Sequence, residues 1–146
     1  MLSEIKSFVQ LDERLATAGQ PTELQIADIA ATGYDIVINL ALHDQDYSLA
    51  DEAGAVQAAG MTYIHIPVQW EHPTPADLER FCAAMDAHSE ARVFVHCAAN
   101  MRVSVFVALY RILRLGWERE RAFADVARIW EPNATWAALI EKVLAS

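Results

Sequence analysis

The sequence predicts an α/β fold, a single three-layer domain in which a mainly parallel sheet of four to five strands is flanked by helices. Two observations support this prediction. Short apolar segments, such as residues 34–40 and 93–95, alternate along the chain with longer amphipathic segments, and this alternation is typical of a parallel sheet. The chain has 146 residues, of which 54% are hydrophobic, so residues 1–146 are long enough for one domain with its own core.

The elements of the first half of the chain are predicted from capping residues and from glycines that end helices. Thr22 and Gln25, three residues apart, form a capping box at the start of a helix, and Gly33 follows its end. Ser48 is predicted to cap a second helix, which Gly60 ends. In order, the sequence predicts a strand at 15–18, a helix at 22–32, a strand at 34–40, a helix at 48–59 and a strand at 61–68.

The second half of the chain begins with a loop over residues 69–75 that contains two prolines. The helix after this loop has apolar positions, among them Phe81 and Cys82, that share one face. Gly116 and the segment 131–133 separate the helices that finish the chain. The sequence predicts a helix at 76–89, a strand that ends at Cys97, and helices at 103–115, 118–130 and 134–144.

The charged residues are unevenly distributed and argue against a polyanionic partner. The net charge is −9, with 3 basic and 15 acidic side chains in residues 1–90 but 8 basic and 5 acidic side chains in residues 91–146. We do not expect an acidic chain without a basic stripe to bind nucleic acid. A small anionic or phosphorylated substrate is the expected partner, and the sequence does not indicate an oligomeric state.

Composition also bears on the cellular compartment. The two cysteines, Cys82 and Cys97, offer neither a disulfide framework nor a metal-ligand cluster, so we expect a reducing environment and neither a metal nor another cofactor. The first residues lack a basic and apolar leader, and no apolar run approaches the length that spans a membrane. A cytoplasmic protein without membrane contact is therefore expected.

The most informative motif is a strand that ends in a cysteine, followed by a short turn and a helix that opens with an arginine. Backbone N–H groups at a helix start lack intrahelical acceptors, and together with the helix dipole they attract an anion. The same field favours the thiolate of Cys97, while the Arg102 guanidinium can grip two oxygens of a phosphate. We interpret Cys97 as a nucleophile and Cys82, inside a helix, as a core residue. The motif reads Val93-Phe94-Val95-His96-Cys97-Ala98-Ala99-Asn100-Met101-Arg102-Val103-Ser104.

The sequence resembles the cysteine-dependent protein tyrosine and dual-specificity phosphatases, whose His-Cys-turn-Arg-Ser/Thr signature is similar to His96, Cys97, Arg102 and Ser104. It resembles more closely the bacterial phosphatase-like domain found in beta-lactamase hydrolase-like proteins. This second resemblance covers nearly the whole chain and includes the segments AGQPT at 18–22, VINL at 37–40 and YIHIPV at 63–68. It implies a protein tyrosine phosphatase-like fold.

The resemblance implies that the protein hydrolyses phosphate monoesters in two steps, through a thiophosphoryl intermediate on Cys97. Arg102 would hold the phosphate oxygens together with backbone N–H groups of the turn. Ser104 would stabilise the leaving thiolate, and His96 would orient the turn from its rear. The residues that would surround the anion are Ala98, Ala99, Asn100, Met101, Val103 and Ser104.

The chain departs from the family pattern within and near this turn. Asn100 stands where the bacterial subfamily usually has glycine, and asparagine is the best substitute for glycine in a left-handed conformation. Val103, directly after the arginine, stands where the subfamily has serine, and Ala41 replaces an arginine. We therefore expect the turn to close, with one possible anion contact fewer.

The general acid is predicted from the loop over residues 69–75. The related phosphatases protonate the leaving oxygen with an aspartate of the corresponding loop, and this loop contains none. Glu71 is the predicted acid because a carboxyl group beside Trp70, in a proline-bounded loop, can hold its proton near neutral pH. His72 is the second candidate. Asp77 is expected to form a capping box with Thr74.

Two other functions stay open at the level of the sequence. Rhodanese-type sulfurtransferases also place a cysteine first in a six-residue turn between a strand and a helix, and the turn here spans Cys97 to Arg102. A catalytically idle domain that binds phosphorylated or other oxyanion ligands would fit the missing aspartate and glycine. We expect modest aryl phosphatase activity that depends on Cys97, with thiosulfate turnover much weaker.

Overall fold

A computed structural model describes residues 1–145 and confirms the α/β class with a mainly parallel sheet. After a 3-10 turn at Leu2–Glu4, the described chain forms five strands and six helices. The strands are Val9–Gln10 (β1), Leu15–Ala18 (β2), Ile36–Asn39 (β3), Thr62–His65 (β4) and Val93–His96 (β5). The helices are Glu23–Ala31 (α1), Glu52–Ala58 (α2), Pro75–Ala87 (α3), Met101–Leu115 (α4), Arg119–Ala127 (α5) and Ala134–Ala145 (α6).

The strand order β1-β2-β5-β3-β4 places the strand that precedes Cys97 at the centre of the sheet. β1 runs antiparallel to β2, and the other neighbouring pairs are parallel. His96 pairs with Ala18 on one side and with Asn39 on the other, and Asn39 pairs in turn with His65. The carboxyl ends of four parallel strands therefore lie level, at the edge where α/β proteins place ligand sites.

Helices cover both faces of the sheet because the side chains of its central strands are buried on both sides. Val93 and Val95 of β5 belong to the core beneath α3, α4, α5 and α6, whereas Phe94 belongs to the core beneath α1 and α2. Cys97 follows the same alternation and belongs to the first core. The catalytic candidate and its helix α4 thus lie on one face of the sheet.

Helix α4 is the main support of the Cys97 side of the fold. Residues 102–111 of this helix are buried, and it packs against α3, α5 and α6. Its C-terminus ends at Gly116, whose φ of 73° lies in the left-handed region that glycine adopts without strain. Within the described residues, no helix is both long enough and apolar enough to cross a membrane.

The structure confirms the predicted capping boxes and shortens the strands predicted at 34–40 and 61–68, the first of which is β3 at Ile36–Asn39. Thr22 with Gln25 starts α1, and Thr74 with Asp77 starts α3. The strand predicted at 61–68 is β4 at Thr62–His65. It ends before Pro67, which has no N–H to donate to a sheet ladder.

The predicted start of the second helix is wrong, because Ser48 does not cap it. The Ser48 hydroxyl donates to the Leu42 carbonyl at 2.9 Å and accepts the Gln45 N–H at 3.1 Å, so it closes the preceding loop. Asp51 caps α2 instead and accepts the N–H of Gly54 at 3.0 Å. The structure also adds β1, whose two residues are too few to give a periodic pattern in the sequence.

Candidate active site

Cys97 is the first residue after the central strand β5, at the carboxyl edge of the sheet. Its side chain is 1% exposed and lies in the core beneath α4. Its N–H donates to the Ala18 carbonyl at 3.3 Å, which extends the contact between β2 and β5 by one residue. The backbone of the cysteine is therefore fixed at the point where the turn begins.

The turn after Cys97 packs closely against the segment that follows β2. The Gln20 N–H donates to the Ala98 carbonyl at 3.1 Å, and Gly19 forms a bridge with Ala99. A Cβ atom on Gly19 would lie 2.6 Å from the Ala98 carbonyl oxygen and 3.1 Å from the Ala99 Cα, so glycine is required for this close approach. Gly19 and Gln20 thus support the turn from its rear.

Asn100 closes the turn in a left-handed conformation, with φ of 66° and ψ of 1°, as the sequence predicts. Its side chain does not cap α4, although it stands directly before that helix. Its Nδ2 instead donates to the Ser7 carbonyl at 2.9 Å and to Thr17 Oγ1 at 3.0 Å. The amide therefore ties the turn to β2 and to the N-terminal segment.

The start of α4 presents backbone donors that the helix itself does not use. The Ser104 N–H donates to the Asn100 carbonyl at 2.9 Å, which closes the first turn of the helix. The N–H groups of Met101, Arg102 and Val103 precede this bond and have no intrahelical acceptor. The Asn100 side chain leaves these N–H groups uncapped. They can therefore donate to an anion, which the positive end of the helix dipole also attracts.

Arg102 occupies the second position of α4 and is 5% exposed. Its Nη1 donates to the Val68 carbonyl at 2.9 Å. Val68 lies at the entrance to the loop over residues 69–75, so this bond joins the Cys97 turn to the predicted acid loop. A guanidinium has five N–H donors, so one arm can hold Val68 while the others remain available to an oxyanion.

Trp130 and Trp136 contact Trp70 in the predicted acid loop. The ring centroid of Trp70 lies 5.3 Å from that of Trp130 and 5.9 Å from that of Trp136. The Nε1 of Trp136 also donates to the Trp70 carbonyl at 2.9 Å. Because Trp136 belongs to α6 and Trp130 follows α5, the C-terminal helices fix the backbone of this loop.

Glu71 and His72 are exposed beside Trp70. The His72 N–H donates to the Gln69 carbonyl at 3.2 Å, and this bond closes the turn that carries Glu71. The assignment of the general acid to Glu71, with His72 second, stays a prediction. Asp77 is occupied elsewhere, since it completes the capping box of α3 with Thr74, as predicted, and pairs with Arg80.

Ser104 makes different contacts from those that the resemblance implies. Its hydroxyl donates to the Met101 carbonyl at 2.7 Å and accepts the Nε1–H of Trp130 at 3.1 Å. A hydroxyl has a single proton, and here that proton is held within the helix. Ser104 therefore connects α4 to the tryptophan cluster, and its role at the Cys97 sulfur stays a prediction.

His96 lies behind the turn and contacts it directly. Its Nδ1 is 3.2 Å from the Cys97 carbonyl oxygen, and its Nε2 is 2.6 Å from Oε2 of Glu52. Glu52 is 3% exposed, and its other oxygen accepts the Gln20 amide at 2.8 Å. Burial raises the pKa of Glu52, but the hydrogen bonds and the charge of His96, together with the Gln20 bond, outweigh burial and hold this pKa below its ordinary value of 4.5.

Cys82 has the environment of a core residue, which confirms its interpretation from the sequence. It lies inside α3 and is 1% exposed. Burial raises the pKa of its thiol to about 11, so this cysteine is almost entirely uncharged at neutral pH. Among residues 1–145, no group of three or more His, Cys, Asp or Glu side chains is arranged to hold a metal ion.

Sequence reasoning missed several groups that shape the site. Glu52 stands in the first turn of a helix, where acidic residues are common at the surface, and nothing in its neighbours indicates burial. Trp130 and Trp136 fall in the helices predicted at 118–130 and 134–144, and nothing in the sequence links them to the acid loop. The one available signal is that Gln20 belongs to the AGQPT segment, which carries part of the family resemblance.

Comparisons with known proteins agree with this architecture. Residues 7–113 match the family model described as the phosphatase-like domain of beta-lactamase hydrolase-like protein. The beta-lactamase hydrolase-like protein of Xylella fastidiosa is 32% identical over 109 residues, which are 73% of this chain and 25% of that relative. The chain therefore matches about a quarter of the relative's length.

Solved structures share the whole fold. A protein from Shewanella putrefaciens CN-32, described as a DUF442 candidate phosphatase, is 34% identical with a TM-score of 0.87, and the match covers 99% of this chain and 95% of that one. Tk-PTP in its active form has a TM-score of 0.79 at 18% identity, over 94% of this chain and 95% of its own. At that identity the second likeness concerns the fold alone.

Proposed function

Because this chain belongs to the family of phosphatase-like domains of beta-lactamase hydrolase-like proteins, we propose that it hydrolyses phosphate monoesters with Cys97 as the nucleophile. One observation carries the proposal. Cys97 precedes the uncapped N-terminus of a 15-residue helix whose second residue is the buried Arg102. This arrangement brings together a nucleophile, the N–H donors of the Arg102 guanidinium and the positive end of a helix dipole.

In the proposed reaction, the Cys97 thiolate attacks phosphorus while the ester P–O bond breaks, and the leaving oxygen takes a proton. Water then attacks the thiophosphoryl phosphorus, the S–P bond breaks, and inorganic phosphate leaves with the thiolate restored. The N–H groups at the start of α4 and the free arm of Arg102 hold the equatorial oxygens in both steps. Their contribution is electrostatic, since they are in place before charge develops.

Glu71 supplies the proton to the leaving oxygen in this proposal, and His72 is the alternative donor. Support comes from the loop that carries both residues. Arg102 binds the Val68 carbonyl at its entrance, and Trp136 binds the Trp70 carbonyl within it. The acid is therefore carried on a backbone that is bonded to the anion-binding helix on one side and to α6 on the other.

The decisive experiment compares phosphoryl and sulfur transfer in the same preparation. We expect turnover of an aryl phosphate, such as p-nitrophenyl phosphate, and much weaker transfer of sulfur from thiosulfate to cyanide. Cys97→Ser should abolish the phosphatase activity, whereas Cys82→Ala, which changes the buried thiol of α3, should retain it. Efficient sulfur transfer without phosphatase activity would identify a sulfurtransferase.

Anion binding provides the second readout. Phosphate or vanadate should raise the melting temperature and protect Cys97 from alkylation. Arg102→Lys should lose most of this protection, because a lysine ammonium cannot bind two phosphate oxygens at once as a planar guanidinium does. Binding without turnover of either substrate would favour an idle oxyanion-binding domain.

A further inference from the structure

A buried hydrogen-bonded chain lies on the face of the sheet opposite Cys97, and the reaction proposed above does not use it. It runs from the Gln20 amide to Glu52, from Glu52 to His96, and from His96 to the Cys97 carbonyl, with separations of 2.8, 2.6 and 3.2 Å. His96 is 0% exposed and Glu52 is 3% exposed. Burying a carboxylate this deeply destabilises the fold unless hydrogen-bonding and charged partners compensate for the lost hydration.

The partners of the His96 ring determine where its protons lie. Nδ1 faces a backbone carbonyl, which can only accept a hydrogen bond, so Nδ1 must carry a proton. Nε2 faces an oxygen of Glu52, and an ionised carboxylate is also an acceptor only. The Gln20 amide donates to the other oxygen of Glu52, which independently favours the ionised form. Both ring nitrogens therefore face acceptors, which is the arrangement that suits an imidazolium ion.

Among the groups in residues 1–145 that are seen to act on Glu52, none is a second carboxylate. Gln20 donates to it from the segment after β2, and His96 from β5. The loop after β3 contributes His43, and β4 contributes Tyr63 and His65, both of which feel the charge of Glu52. Burial raises the pKa of Tyr63 and lowers that of His65, so both groups are neutral at pH 7 and leave Glu52 as the counter-charge of His96.

On the premise of the proposed function, we propose that Glu52 is a positioning residue that keeps both nitrogens of His96 protonated. His96 then holds the Cys97 carbonyl from behind and places a positive charge 3.2 Å from the backbone oxygen of the nucleophilic residue, and through the sheet this charge favours the thiolate. Gln20 contributes twice, since its side chain fixes the carboxylate while its N–H binds the Ala98 carbonyl. Through Gln20, the AGQPT segment contacts both the rear of the turn and the carboxylate that is proposed to influence the ionisation of Cys97.

The first test is a spectrum of the unmodified protein and needs no turnover. Nitrogen-15 NMR of the histidine rings at pH 7 should show both nitrogens of His96 protonated, with the signal assigned by its absence in His96→Asn. A His96 ring with one unprotonated nitrogen would overturn the proposal, and this holds even where a Glu52 variant fails to fold.

The second test measures the nucleophile through its alkylation rate against pH, in a Cys82→Ala background where Cys97 is the remaining thiol. Glu52→Gln keeps the shape of the side chain but lets a neutral His96 accept from the new amide. We expect the inflection of the alkylation profile to move up by about one pH unit, so that alkylation below it slows about tenfold.

Glu23→Gln removes an exposed carboxylate from the first turn of α1 and is the matched control, with no shift expected. A Glu52→Gln profile that coincides with the control would overturn the proposal, whatever the effect on melting temperature. Because alkylation and NMR require no phosphate ester, failure of this inference is distinguishable from failure of the phosphatase assignment.

Discussion

Replacing Asn100 by glycine and by alanine separates the two roles of this residue in the Cys97 turn. Its backbone is left-handed, with φ of 66°, and its amide donates to Ser7 and Thr17. Both replacements remove the amide and its bonds. Glycine adopts a positive φ freely, whereas alanine does so at a cost, so the pair isolates the conformational term.

The magnitudes follow from these contacts. The two hydrogen bonds of Nδ2 contribute about 0.5–1.5 kcal/mol each. Both variants also remove Oδ1, a buried oxygen without a hydrogen-bond partner among the described residues, and its removal offsets part of that loss. We expect Asn100→Gly to lose about 1–2 kcal/mol of unfolding free energy. Asn100→Ala should lose about 1 kcal/mol more, the cost of a left-handed residue that has a Cβ.

Urea unfolding measures the stability of each variant. The rise of the melting temperature on adding phosphate measures how well its Cys97 turn binds an anion. At this chain length a loss of 1 kcal/mol lowers the melting temperature by about 2–4 °C. Phosphate should stabilise the glycine variant nearly as well as the wild type and the alanine variant less. An alanine variant as stable as the glycine variant would refute the argument from φ, and a glycine variant as stable as the wild type would refute the argument from the amide.

Three further predictions concern the surroundings of the turn. Glu71→Gln should slow hydrolysis of alkyl phosphates by about 10²–10⁴-fold and spare activated aryl phosphates, and equal effects in a kinetic comparison would move the acid to His72. Trp136→Phe should cost roughly 1–3 kcal/mol in urea unfolding, because the Trp70 carbonyl loses its donor. Since folding lowers the pKa of Glu52, its contribution to stability exists above about pH 4.5 and disappears as pH falls through the folded value, so melting curves from pH 6 to 3 should fall less steeply for the double variant Glu52→Gln/His96→Asn, in which neither partner titrates.

The parts of the fold that the sequence predicts well depend on residues close together in the chain. Thr22 and Thr74 begin helices because each bonds a residue three positions on, and such pairs are visible without the structure. Ser48 has equal capping potential, but its hydroxyl binds the Leu42 carbonyl six residues earlier, which local pattern does not reveal. The competition between a local cap and a loop contact is decided by tertiary structure.

The candidate site likewise combines residues that are close together in sequence with partners that are distant in sequence. Cys97, Asn100 and Arg102 lie within six residues of one another, so their spacing alone indicates an anion-binding turn. The partners of that turn are distant in sequence: Glu52 reaches His96 across 44 residues, and Trp136 reaches Trp70 across 66. An acidic residue or a tryptophan in an amphipathic helix has many possible neighbours, and only the packed sheet selects among them.

The side chains of Asn100 and Ser104 direct their polar groups away from the N–H groups at the start of α4. Asn100 donates to Ser7 and Thr17, and the Ser104 hydroxyl bonds within α4, so neither consumes the N–H groups at the helix start. A short turn offers fewer backbone N–H donors to an anion than a longer turn does. This loss matters less when the remaining N–H groups are uncapped and fixed in place by the helix start. Because electrostatic stabilisation of a transition state depends on donors that need no reorganisation, the six-residue turn from Cys97 to Arg102 is compatible with phosphoryl transfer and is not restricted to sulfur.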